Sequence, residues 1–88
     1  MDYKILKEAD KEFVFTASLE DYLTFFRKIS LLLFDTSDVM NPTSKELRYD
    51  KDGVHLDIRQ EGEEFKICVL GFENKELIKK LLREYFGK

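Results

Sequence analysis

The chain predicts an α+β fold in the order ββαβββα, with a single antiparallel sheet and two helices packed on one of its faces. Three observations carry that prediction. Asp52-Gly53 is a strong two-residue hairpin signal between strand-like runs. Glu61-Gly62 offers a second, weaker reversal of the same length. Two other stretches, Ser18 to Phe34 and Asn74 to Phe86, carry apolar residues at helical spacing.

Tyr3 to Lys7 and Glu12 to Ala17 read as two short strands joined across Glu8-Ala9-Asp10-Lys11, with Phe13 and Phe15 on one side of the second. Ser18-Leu19-Glu20-Asp21 has the form of a capping box. The helix that follows has the stripe Leu19, Tyr22, Leu23, Phe26, Ile29, Leu33. Phe25, Leu31, Leu32 and Phe34 lie off that stripe, so its last two turns are apolar nearly all round. The stretch 36–44, which holds the only proline, Pro42, has no periodicity and reads as a surface loop in a single compact domain over 1–88.

A turn at Asp52-Gly53 sets Tyr49 opposite Leu56 and Leu47 opposite Ile58 on one face. It sets Glu46 opposite Arg59, Arg48 opposite Asp57 and Asp50 opposite His55 on the other. A turn centred on Glu61-Gly62 would place Ile58 against Phe65, Leu56 against Ile67 and Val54 against Val69, with Arg59 meeting Glu64 and Asp57 meeting Lys66. Every outward row would then be a set of opposite charges. Asn74 is the expected cap of a closing helix with the apolar face Leu77, Ile78, Leu81, Leu82, Tyr85 and Phe86. Glu76 with Lys80, and Lys80 with Glu84, are i,i+4 pairs on its wet side, and Gly87 ends it.

Composition excludes several classes. With 88 residues the chain is short, and a domain of this size buries only about two-thirds of its unfolded surface. Its one cysteine, Cys68, precludes an internal disulfide and suits a reducing compartment. No apolar run approaches a membrane span, and Met1-Asp2-Tyr3-Lys4 lacks the pattern of a signal peptide, so the expectation is a cytoplasmic protein. A net charge of -3 with 38% charged residues gives no chain-wide attraction for phosphate. Few amides and many Lys and Glu residues lean towards a thermophilic source.

The chemistry-bearing residues are sparse. The row Asp50, His55, Cys68 would lay acid, imidazole and thiol across three strands, the order a thiolate nucleophile needs. It lies on a charged, solvated face with no oxyanion site, so the expectation is that the protein is not an enzyme. One His and one Cys are too few for a zinc site, and no cofactor motif occurs; no metal and no cofactor are expected. Lys75, Lys79 and Arg83 form an i, i+4, i+8 stripe with Lys80 alongside, a candidate phosphate contact diluted by Glu76 and Glu84. Cys68, Leu70 and Phe72 are expected on the outward side of the last strand. With Phe25 and Leu32 on the outer side of the first helix, they form an expected contact surface.

The portion from Ser18 onward resembles, in its αβββα order, double-stranded RNA-binding domains and the small Alu-domain subunits of the signal recognition particle. Where that RNA-binding family has a lysine cluster opening its last helix, this chain has Glu73-Asn74-Lys75-Glu76. Lys4-Ile5-Leu6, with Glu20-Asp21 through Arg27-Lys28-Ile29, is similar to the opening of the small assembly subunit of archaeal RNA polymerase, over about a third of the chain. It departs at Asn41-Pro42-Thr43, where that family has His-Pro-Leu. The functional expectation is a small non-catalytic binding or assembly module, a homodimer or a small subunit of a larger complex. The alternative is an accessory RNA- or DNA-binding domain using the basic stripe.

Overall fold

A computed structural model describes residues 3–18, 22–35 and 46–87. The expected capping box at Ser18 to Asp21 falls largely outside the described residues, and the expected loop 36–44 does so entirely. The elements are β1 (Tyr3–Ala9), β2 (Glu12–Ala17), α1 (Tyr22–Phe34), β3 (Glu46–Lys51), β4 (Val54–Glu61), β5 (Glu64–Leu70) and α2 (Lys75–Phe86). They form one antiparallel five-stranded sheet in the order β1-β2-β5-β4-β3. This is the predicted α+β architecture.

One face of the sheet supplies the core. Phe13, Phe15 and Ala17 of β2, Leu56 and Ile58 of β4, and Ile67 and Val69 of β5 are buried against Phe25, Phe26, Ile29, Leu33 and Phe34 of α1 and Ile78 and Leu82 of α2. The pleat produces this, since successive side chains of β4 and β5 point to opposite faces and every second one in that stretch is a buried aliphatic. Tyr49 closes the β3 margin with its ring 4.7 Å from that of Phe34, and Tyr3 closes the β1 margin by stacking on Phe86 at 5.2 Å.

The β3–β4 register is the predicted one at every pair, from Glu46–Arg59 to Asp50–His55. Asp52 and Gly53 both have positive φ, 55° and 83°, as a type I′ turn requires. The β4–β5 register is different. Ile58 pairs with Ile67 and Leu56 with Val69, a slip of two residues from the expected pairing. Gly62, at φ 66°, takes the first central position of the turn with Glu63 second. The expected turn would have placed Glu61 there, where a side chain is strained and glycine is not.

A slip of two keeps each apolar set on its face but changes the partners on the outer one. Arg59 lies opposite Lys66, Glu61 opposite Glu64, and Asp57 opposite Cys68, so the second hairpin is not the ladder of opposite charges that its sequence suggests. The predicted row of acid, imidazole and thiol is broken as well. Asp50 does face His55, but His55 faces Leu70, and Cys68 lies between Asp57 and Val14.

Gly71 joins the two halves of the sheet at one end. Its N–H donates to the Lys11 carbonyl in the β1–β2 turn at 2.7 Å. A Cβ there would lie 2.0 Å from the Gly53 carbonyl oxygen in the β3–β4 turn, and the residue has φ 83°. Only glycine satisfies both constraints.

Candidate interaction surfaces

The two helices lie side by side on the same face of the sheet. Phe25 packs edge-on against Tyr85 at 5.1 Å and against Phe15 of the sheet at 6.3 Å. It is fully buried, which corrects its expected place on the outer side of α1. A helix wedged between a sheet and a second helix needs a wider apolar arc than a single stripe provides, and Phe25 and Phe34 supply it. Ser30, also fully buried in this arc, has a hydroxyl with no hydrogen-bond partner among the described residues.

Away from the sheet, α1 and α2 leave a groove of about 390 Å³ lined by Lys28, Leu31, Leu32, Leu77, Lys80, Leu81 and Glu84. Leu31 is 55% exposed and Leu77 is 39% exposed, while Leu32 and Leu81 are half-buried along the floor. Leu32 lines this groove, on the opposite side of the domain from Cys68 and Leu70, so the residues expected to share one contact surface lie on two; Leu77 and Leu31 are groove residues that sequence reasoning missed. The signal was present in the α2 arc, where Leu77 and Leu81 extend the apolar face beyond the Ile78 and Leu82 row that the core uses. Lys28, Lys80 and Glu84 form no ion pair among the described residues, so the expected Lys80–Glu84 pair within the helix is not made.

The basic stripe on α2 is divided. Glu8, on the helix-facing side of β1, accepts from Lys79 at 2.6 Å and lies 3.8 Å from Lys75, and Lys79 also meets Glu76 at 3.5 Å. The hydrogen bond with Lys79 is the main cause holding the Glu8 carboxyl below its ordinary value, and the same bond raises the Lys79 ammonium. Lys75 and Lys79 therefore tie the edge strand to the helix. Lys80 and Arg83 remain exposed on other sides.

The outer face of the sheet carries a shallow basin of about 530 Å³ that includes Arg48, Asp50, His55, Asp57, Cys68 and Leu70. Leu70 is exposed there and Cys68 is half-buried, as expected for the outward side of β5. Phe72 is not part of it; it is partly buried against the core, a correction to its expected outward position. His55 Nδ1 lies 3.4 Å from Asp50, and Arg48 lies 3.8 Å from Asp57. Burial, then the carboxylates Glu12 and Asp57, push the Cys68 thiol up, the direction opposite to that of an activated thiolate.

Among the described residues no cluster of His, Cys, Asp and Glu could hold a metal ion, and no helix is long and apolar enough to cross a membrane. Comparison with protein-family models, with curated proteins and with solved structures finds no match to this chain.

Proposed function

We propose that this protein is a non-catalytic association module whose principal contact surface is the leucine groove between α1 and α2. The observation that carries the reading is the pairing of Leu31 and Leu77, both exposed, with the half-buried Leu32 and Leu81 in one concave strip. Singly exposed leucines are ordinary on a protein surface, whereas a contiguous apolar strip rimmed by charges is a feature of contact sites. The small internal core of so short a chain gives association an energetic role as well.

Leu70 and Cys68 lie among the His55–Asp50 and Arg48–Asp57 ion pairs, which interrupt the apolar surface there, and rank second as a contact. A raised thiol supports a packing role for Cys68 over a nucleophilic one. Engagement of Lys75 and Lys79 by Glu8 leaves the nucleic-acid reading with Lys80 and Arg83 alone, too few for a phosphate-tracking stripe. A reducing, cytoplasmic setting accompanies the proposal through the lone cysteine.

The test is Leu31→Glu, with Leu70→Glu as the control on the opposite face. Light-scattering mass and identification of co-purifying proteins should show that the wild type associates, with itself or another chain, and that Leu31→Glu does not, at unchanged circular dichroism. Association that survives Leu31→Glu and fails in Leu70→Glu would move the contact surface to the sheet.

A further inference from the structure

We infer that the occupant of the α1–α2 groove is a second copy of this chain, docked about a twofold axis so that α2 of each copy crosses antiparallel to α2 of the other. The inference rests on the association reading above and names its partner.

Charge complementarity singles out this occupant. Lys80 and Glu84 stand one helical turn apart on the rim, and among the described residues neither forms an ion pair within its own chain. In a twofold contact the same patch meets itself. An axis perpendicular to α2, passing between these two residues, exchanges their levels. Lys80 of each copy then faces Glu84 of the other, and Leu81 lies next to the axis. Lys28, on the α1 side of the same groove, supplies a further cation. The two Leu81 side chains pack beside the axis, and Leu77, three residues before Lys80, extends the apolar strip outward along each helix.

Other occupants fit less well. An anionic surface or an acidic peptide would favour Lys28 and Lys80 but be repelled by Glu84, and a purely apolar segment would leave all three charges desolvated beside it. A rim of both signs that is unpaired alone and paired in duplicate matches a self-complementary contact.

The experiment exploits that symmetry. Lys80→Glu and Glu84→Lys are prepared separately and their self-association is followed by sedimentation over rising concentration. Each variant alone brings like charges together across the axis, twice per dimer, and should weaken dimerisation by about tenfold or more. Mixed in equal amounts they should recover a heterodimer with nearly wild-type affinity, because the all-acidic rim of the first variant then meets the all-basic rim of the second at both contacts. Added salt should shrink both the loss and the recovery. Circular dichroism guards against misfolding, which is not expected of two exposed residues.

A wild-type dimer indifferent to both swaps, or a mixture no tighter than its components, overturns this arrangement. A wild type that stays monomeric while Leu31→Glu abolishes binding of a different protein overturns the second copy as occupant and leaves the association module standing. A monomer with no partner sensitive to Leu31→Glu removes both.

Discussion

The two flanks of α2 present the same kinds of residue and use them in opposite ways. On the flank facing β1, Lys75 and Lys79 close on Glu8, and the charges serve to hold an edge strand against a helix. On the flank facing α1, Lys80 and Glu84 have no partner among the described residues and border exposed leucines. A stripe that looks continuous along the sequence is therefore two surfaces, one committed to the fold and one left exposed. Position around the helix axis decides which role a lysine takes, because four residues on a helix return to nearly the same side and five do not.

The largest break in this picture should come from the interior that both flanks enclose. Phe25→Ala removes the ring that joins the sheet to α2 and should cost about 4 kcal/mol, with Phe25→Leu closer to about 1.5 kcal/mol. Chemical denaturation measures both, and a loss under about 1 kcal/mol for the alanine variant would return Phe25 to the surface. Ser30→Ala sharpens the contrast between partnered and unpartnered polar groups. It removes a buried hydroxyl that has no partner among the described residues and should stabilise the domain by about 1 kcal/mol, a rise of about 4–8 °C in Tm.

Glu8→Gln addresses the β1 flank. In the fold this carboxyl sits below its ordinary value of 4.5, so the unfolded chain binds a proton more readily there and stability rises with pH through that window. The contribution is present above the ordinary value and is lost as pH falls through the depressed one. The Gln variant should be less stable at neutral pH and show a flatter acid limb in its stability profile; an acid limb of unchanged slope would show that Glu8 is not held by Lys79. The raised Lys79 ammonium keeps its share of the pair below its ordinary value of 10.5 and loses it as pH climbs through its folded value. The smallest effect is expected on the α1 flank, where Leu31→Ser should alter the stability of the isolated chain by no more than about 0.5 kcal/mol while reducing association.

The fold is more legible in the sequence than the surface is. The element order, the β3–β4 register and the inward sets of β4 and β5 follow from alternation and from Asp52-Gly53, whose two residues both suit a positive φ. The β4–β5 turn departs from expectation because Glu61-Gly62 satisfies the spacing of a hairpin but not the demand for glycine at the first central position. Phe25 departs for a different reason. A single helical stripe assumes one packing partner, and α1 has two, so its apolar excess signals a second intramolecular contact. Asn74 caps α2 without its side chain; only its carbonyl participates, accepting from Leu77 N–H at 3.1 Å. Partnering between distant residues, such as Glu8 with Lys79, has no local signature and emerges only once β1 is placed at the sheet edge.

Because β2 pairs with β5, one inner seam of the sheet joins segments separated by α1, β3 and β4, with Thr16 meeting Lys66. Three of the four ladders can form early between neighbours in the chain; this one must wait for the longest loop closure. The close backbone approach at Gly71, touching both the β1–β2 and the β3–β4 turns, completes only when that seam does. Substituting alanine there should therefore speed unravelling of the amino-terminal hairpin from the rest, so that amides of β1 and β2 exchange with solvent ahead of those in β3 and β4.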